Sequence, residues 1–381
     1  MKPLSNRVQK VAPSGIRKYF DLASMSKDII SLGVGEPDFD TPEKIKQAGK
    51  RAIEFNKTHY TANSGLMELR EKISKKLMGE NKIETSPENV LITAGSSEGL
   101  DLAVRSFVNP GENILIPEPC YVAYGPLLTL ADAEPNYVRC SEENDFRVSV
   151  EDLKKAVDKK TKALLICSPN NPTGAVLNKK DLEEISDFVI ENDLYVISDE
   201  IYEKLIYSEE HVSIASLNGM AERTVTLNGF SKAFACTGWR VGYMAGAEAI
   251  MSQIKKIHQY NILCAPSISQ YAMLPAFEET ASIKNMMKIY DRRRRLLVKG
   301  LNELPGVSCH MPEGAFYAFP NISGTGMKSG EFAEFMIKEA EVALVPGDVF
   351  GPGGEGFARC SYSTSTEAIS EAIERMKKVL Q

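Results

Sequence analysis

Lys232 and Arg240 stand eight residues apart in RTVTLNGFSKAFACTGWRVGYMAG, residues 223–246, and together they offer chemistry that neither offers alone. An alternating apolar run leads into a small-residue turn holding Ser231 and Lys232, so the lysine is presented from the end of a strand. A lysine amine condenses with an aldehyde. An arginine offers a forked set of donors to a phosphate. The pair suits a ligand carrying both groups, while the lysine taken singly reads first as a solvated loop residue.

Other residue types along the chain fit the same ligand. Asp199 closes LYVISD, a run that reads as a buried strand, and a buried carboxylate needs a cationic partner such as a protonated pyridine nitrogen. Its other reading is a helix cap. Arg359, on the alternating run FARCSYS, needs an anion: a substrate carboxylate gripped by both guanidinium arms, or an internal salt bridge. Asn171 in SPNNPTG and Tyr202 in DEIYEK carry donors for a phenolate oxygen, although NNPTG is also a good turn sequence. Gly95, Ser96 and Ser97 open a helix, where free N–H groups attract a phosphate and where serine also serves as an N-cap. Tyr121 can stack on a ring or fill core, and Gly35, in the turn GVGEP, lets backbone N–H groups approach a carboxylate. Pyridoxal 5'-phosphate is the cofactor these residues imply, since it offers an aldehyde, a phosphate, a pyridine nitrogen and a phenolate oxygen.

Positioning them falls to an alternation of short apolar runs and helical patterns: NVLITAG then SSEGLDLAVRSF, NILIPEP then YVAYGPLL, KALLICSP then KKDLEEISDFVIEN, and LYVISDE. The alternation predicts an α/β fold whose large domain has a mostly parallel central sheet covered by helices. Gly95, Pro119, Asn171, Asp199 and Lys232 each fall at or just past the carboxyl end of an apolar run, the edge at which open α/β sheets bind ligands. Upstream, Thr41 reads as an N-cap with Pro42 as the first helical residue, and the loop THYTANSG carries Tyr60. Beyond about residue 280, a long helix, short strands and the C-terminal helix TEAISEAIERMKKVL predict a smaller α/β domain. The expected division is an N-terminal arm, 1–45, packing with the small domain; a large domain, 46–280; and a small domain, 281–381.

Composition narrows the classes of partner. A formal net charge of −6 argues against a nucleic-acid or anionic-membrane surface. The run Arg292 to Arg295 lies in YDRRRRLLVKGLNEL, an amphipathic helix, and reads as a solvated or ion-paired face. Seven cysteines, an odd number without C-x-x-C spacing, read as reduced and mostly buried thiols, and four dispersed histidines give no metal-site spacing. MKPLSNRVQK has no apolar core and no run is long enough to span a membrane, so the expected location is cytoplasmic.

The motifs GEPDFDTP, SPNNPTGAV, SDEIYE, NGFSKAFACTGWRVGY and PEGAFYAFP, with the late arginine of FARCSYS, resemble the class I/II aminotransferases of the type I pyridoxal-phosphate fold over essentially the full chain. Within that family the sequence is most similar to the archaeal and bacterial branch of aspartate and aromatic aminotransferases. The resemblance implies that Lys232 forms the Schiff base, Asp199 partners the ring nitrogen, and Asn171 and Tyr202 donate to the phenolate oxygen. It implies that Arg240, Ser231 and the turn Gly95 to Ser97 hold the phosphate, with Tyr121 in the stacking position. Arg359 and Gly35 would bind the substrate α-carboxylate, beside Asn171 and Tyr121. Tyr60 would reach the phosphate of the neighbouring subunit in a homodimer with shared sites. The implied activity is a ping-pong transfer from an L-amino acid to 2-oxoglutarate, with Lys232 moving the Cα proton. Aspartate is the first donor implied, with an aromatic amino acid, alanine, or lyase chemistry on the same scaffold as alternatives. No arginine here matches the one that reads a second carboxylate in the best-known aspartate enzymes.

Two formal motifs point elsewhere. GSSEG matches a nucleophile elbow and would make Ser97 the nucleophile of a serine hydrolase, but that needs an acid and then a histidine after the serine and leaves Lys232, Arg240 and Arg359 without use. GPGGEG, residues 351–356, matches a dinucleotide fingerprint but runs into a strand instead of a helix.

Overall fold

The computed structural model describes residues 2–16, 19, 28–207 and 210–381. In chain order, strand β1 (Ile30–Ser31) comes first. Then β2 (Val90–Thr93), β3 (Asn113–Glu118), β4 (Glu134–Arg139), β5 (Thr161–Cys167), β6 (Tyr195–Asp199), β7 (Thr224–Gly229) and β8 (Gly242–Gly246) build a seven-stranded sheet in the order β2-β8-β7-β6-β5-β3-β4. All neighbours are parallel except β8, which pairs antiparallel with both β2 and β7. The chain thus has the α/β fold with a mostly parallel sheet.

The sheet is covered on both faces, which is why its central strands read as unbroken apolar runs. Along β5, Leu164 and Ile166 point to one face and Leu165 to the other, as strand alternation requires. Leu165, Ile197, Val225 and Leu227 meet Leu100, Ala103 and Val104 of helix Ser96–Phe107 and Ile250 and Ile254 of helix Glu248–Asn261. On the opposite face, Leu164, Ile166 and Val196 meet Leu182, Ile185 and Phe188 of helix Lys179–Glu191, which starts in a capping box between Asn178 and Asp181. The sheet neighbours Cys167 and Asp199 are in register, so β5 and β6 end level, while β7, with Leu227 beside Asp199, runs two residues further to Gly229.

A second body follows. β9 (Tyr317–Ala318), β11 (Val345–Pro346) and β12 (Ala358–Ser361) form an antiparallel sheet in the order β11-β12-β9, and β10 (Val342–Ala343) pairs in parallel with β1. Helices Thr280–Asn302, Ser329–Ala340 and Thr366–Leu380 bury Leu297, Leu301, Phe332, Met336, Ile369 and Met376 against Phe316, Ala358 and Cys360. The N-terminal segment is tied in twice, by β1 and by the Ser361 N–H donating to the Leu32 carbonyl at 2.6 Å.

One local expectation, the cap at Thr41, needs correction. Helix Glu43–Glu54 has Pro42 at its cap position without a side-chain cap, because the Thr41 hydroxyl donates to the Ala235 carbonyl at 2.9 Å and accepts from Trp239 Nε1 at 3.1 Å. Thr41 therefore ties the arm to the turn after Lys232. The arginine run carries the ion pairs expected of it: Arg293 and Arg294 are buried and paired with Asp38 and Asp291, while Arg292 and Arg295 are exposed and Arg295 also pairs with Asp291. The seven cysteines are free thiols, five of them buried. No helix among the described residues is long and apolar enough to cross a membrane.

Candidate active site

Five strand ends converge on one edge of the large sheet. β2 delivers Gly95 and the first turn of helix Ser96–Phe107, β3 the turn to Tyr121, β5 the loop to Asn171, β6 Asp199 itself, and β7 the turn to Lys232. They surround a cavity of about 520 Å³, within the range of small-molecule sites. Of the residues singled out in the sequence, Gly35, Ser96, Ser97, Tyr121, Asn171, Asp199, Tyr202, Ser231, Lys232, Arg240 and Arg359 line it. Gly95 lies just behind the wall. Tyr60 is not in it.

Lys232 reaches across the cavity to donate from Nζ to the Gly35 carbonyl at 2.6 Å. Burial, with the nearby Arg359 guanidinium, pulls its ammonium down to about 8, so its free amine is accessible near neutral pH. Arg359 is 1% exposed and lies between the rings of Tyr317 and Phe350, 4.3 and 4.9 Å from their centroids. It donates to Asn171 Oδ1 at 2.9 Å and to the Gly33 carbonyl at 2.7 Å, and its Nε has no partner. No carboxylate pairs with it among the described residues, which removes the internal salt-bridge reading. A buried guanidinium that meets only neutral oxygens points to an anionic ligand.

Asp199 presents the complementary case. It is 3% exposed, and burial pushes its carboxyl up to about 6. Its two oxygens take the Tyr124 hydroxyl at 2.8 Å and the Ile201 N–H at 3.3 Å. No helix starts at Asp199, so the helix-cap reading fails and the Ile201 N–H only closes a turn; no cationic side chain pairs with either oxygen among the described residues. Beside it the Tyr202 and Tyr317 hydroxyls lie 2.9 Å apart.

The entrance to helix Ser96–Phe107 is built by backbone. Gly95 has φ +78°, a conformation that favours glycine, and a Cβ there would come within 2.6 Å of Arg240 Nη2. The missing side chain lets the guanidinium lie against the helix entrance. As first-turn residues, Ser96 and Ser97 leave N–H groups without intrahelical partners. Neither serine is the N-cap; that place is Gly95, and the Ser96 hydroxyl donates to the Asn228 carbonyl at 3.1 Å. Arg240 donates to the Thr237 carbonyl at 3.0 Å and has no carboxylate partner among the described residues.

The rival motifs fail on geometry. No described histidine bonds to Ser97: His258 pairs with Glu98 and the Asn63 carbonyl, His211 with Glu200, and His310 with Glu142 and Asp145. GPGGEG forms a short 3-10 turn leading into β12, and its Gly353 N–H donates to Glu118. Sequence reasoning missed Tyr124, Tyr317 and Gly33. Tyr317 sits in the motif PEGAFYAFP, yet an aromatic among aromatics gives no sign of a hydroxyl facing a site.

A family model described as aminotransferase class I and II matches residues 27–376. The chain belongs to the class I and II aminotransferases. This aminotransferase is 50% identical to an aspartate aminotransferase of Pyrococcus abyssi and 49% identical to aromatic-amino-acid aminotransferase 2 of Thermococcus litoralis, in each case over 99% of this chain and 98% of the relative. Its fold matches that of the aspartate aminotransferase of Thermus thermophilus solved with maleate, with a TM-score of 0.95, 36% identity and the whole of both chains covered. The family uses pyridoxal phosphate.

Proposed function

We propose that this aminotransferase binds pyridoxal phosphate in the cavity around Lys232 and moves the amino group of an L-amino acid, aspartate first, to 2-oxoglutarate. The carrying observation is the buried Arg359 guanidinium that, among the described residues, has no protein anion, set beside a lysine of lowered basicity and a buried carboxylate that has no cation among them. Each matches one part of such a ligand pair: the substrate α-carboxylate, the aldehyde and the protonated ring. The bare entrance at Gly95, with Arg240 across it, fits the phosphate.

When bound, the cofactor supplies an aldehyde that carries the amino group and a ring that draws electron density from Cα. The chain does the rest. Arg359 holds the α-carboxylate with Gly35 and Asn171 beside it, which fixes the Cα–H toward Lys232. Lys232, its amine accessible near neutral pH, would take the proton from Cα and deliver it to the cofactor carbon that carries the amino group. Asp199 would keep a proton on the ring nitrogen, Asn171 and Tyr202 would donate to the phenolate oxygen, and Tyr121 would take the stacking position. Ser231, Arg240 and the turn Gly95 to Ser97 hold the phosphate. The working unit in this reading is a cytoplasmic homodimer with an arm 1–45, a large domain 46–280 and a small domain 281–381; Tyr60, 83% exposed, completes the partner's phosphate site.

A second donor is favoured by a specific observation. The cations lining the cavity are Lys232, Arg240 and Arg359, each with a role above, and the remaining wall includes Ile16, Val34 and Val122. Among the described residues none is left to read a second carboxylate, which favours an aromatic donor. Single-turnover spectra with aspartate, glutamate, alanine, tyrosine and phenylalanine, regenerated with 2-oxoglutarate, rank the donors. Aspartate or an aromatic acid should lead; alanine with pyruvate leading would overturn both readings.

A further inference from the structure

Tyr124 is not part of any chemistry assigned above, yet among the described residues its phenol is the only hydroxyl on Asp199. It opens helix Tyr124–Leu130, is 1% exposed, and donates from its hydroxyl to Asp199 Oδ2 at 2.8 Å. Its ring meets Tyr121 edge to face, with centroids 5.6 Å apart and planes at 83°. One side chain therefore touches both Asp199, the proposed partner of the ring nitrogen, and Tyr121, the proposed stacking residue. The contact is dry, and a single phenol there has more influence than it would in water.

We propose that Tyr124 is a positioning residue for the ring-nitrogen partner: its hydroxyl holds Asp199 as a carboxylate in one orientation and so keeps the shared proton on the cofactor nitrogen. The inference rests on the reading of Asp199 given above. Its direction follows from hydrogen-bond chemistry. A donor to a carboxylate stabilises the anion and lowers its appetite for a proton. Without that donor the carboxylate becomes the better base, and the proton shared with the ring moves toward Asp199.

The surroundings leave this task to Tyr124. The groups facing Asp199 are Ile201 N–H on its own turn, Glu200 next in sequence, Cys167 on β5, Tyr121 after β3 and Lys232 after β7. Burial and Glu200 push the Asp199 carboxyl up. The Tyr124 phenol is the foremost group opposing them, ahead of the Ile201 N–H and Lys232. Cys167, whose thiol burial also pushes up, stays neutral and supplies no charge.

The test loads wild type, Tyr124→Phe and Asp199→Asn with cofactor carrying nitrogen-15 in the ring and reads the ring-nitrogen chemical shift against pH. The expected result is a protonated ring in wild type, a shift toward neutral pyridine in Tyr124→Phe, and a larger one in Asp199→Asn. In steady-state kinetics Tyr124→Phe should lower kcat by about tenfold or more with KM for the amino acid little changed, because Arg359 is untouched. A fluorinated tyrosine at position 124 keeps the geometry and donates more strongly, so it should move the nitrogen signal the opposite way. If Asp199→Asn shifts the signal and neither change at position 124 does, the role of Tyr124 is overturned and that of Asp199 stands. If Asp199→Asn also leaves it unmoved, the reading of Asp199 fails and this inference with it.

Discussion

At the scale of single residues, the site is a set of charges that the protein leaves unmatched. Lys232 is held by a neutral carbonyl, Arg359 by a carbonyl and an amide, and Asp199 by a phenol and an N–H. Because burial and Arg359 lower the Lys232 ammonium to about 8, the free amine gains population as pH rises through that value. Capture of the aldehyde by apoprotein should accelerate across the same interval, and Arg359→Leu, by removing the second cause, should move its midpoint upward. A midpoint unmoved in stopped-flow traces would separate the two residues. Arg359→Ala should also weaken amino-acid and oxo-acid substrates alike, by roughly 30-fold or more, since all share the α-carboxylate and the contact is worth about 2–5 kcal/mol. Sparing of one substrate would mean that Arg359 reads a side chain.

Asp199 carries a cost that stability can reveal. Its carboxyl is raised to about 6 in the folded protein, above its ordinary value, so the folded state binds the proton more tightly and is destabilised as pH rises through this interval. Apoprotein with Asp199→Asn should therefore melt at least about 2 °C above wild-type apoprotein at pH 8, the gap closing toward pH 4. An equal or lower Tm at pH 8 would show that the carboxylate is already compensated. These three residues were legible in the sequence because a charge at the end of a buried run breaks the pattern around it. Tyr124 and Tyr317 were not, because a tyrosine in an apolar run reads as core and its hydroxyl partner lies 75 or 115 residues away.

Among the elements, the crossover strands were plain and two others were not. β4 is an edge strand whose residues are largely exposed, so EPNYVR has no apolar run to mark it. β8, GYMAG, follows β7 closely and returns antiparallel, which the alternation of strands and helices did not show. It has a consequence for the site, since Arg240 stands just before β8 and so faces the helix entrance at Gly95. Gly95→Ala should weaken cofactor binding by about tenfold or more, because it strains φ +78° and pushes a Cβ into the guanidinium. Gly238→Ala nearby, where a Cβ meets nothing within 4 Å, is the matched control and should bind normally. Equal affinities for the two in a fluorescence titration would remove Gly95 from the phosphate site.

For the whole molecule, the fold class and the shared sheet edge followed from periodicity alone. The pairing of β1 with β10, and of Leu32 with Ser361, did not, since contacts across more than 300 residues leave no local signal. Tyr60 belongs to this scale. It is exposed on a loop that does not reach its own cavity, and Phe55 and Tyr260 are exposed as well. If Tyr60 serves the partner's site, co-refolding Tyr60→Phe with Lys232→Ala creates a mixed dimer with one intact site. Activity should then rise above that of either parent; no rise, with Tyr60→Phe impaired by itself, would place Tyr60 in its own site or in none.

The central claim is that Lys232 carries the cofactor. Reducing the loaded protein with borohydride fixes that attachment, and mass spectrometry of its peptides then locates it. The account predicts a single phosphopyridoxyl group on Lys232, absent in Lys232→Ala. The same group on another lysine, or a Lys232→Ala protein that still transaminates at a comparable rate, would contradict it.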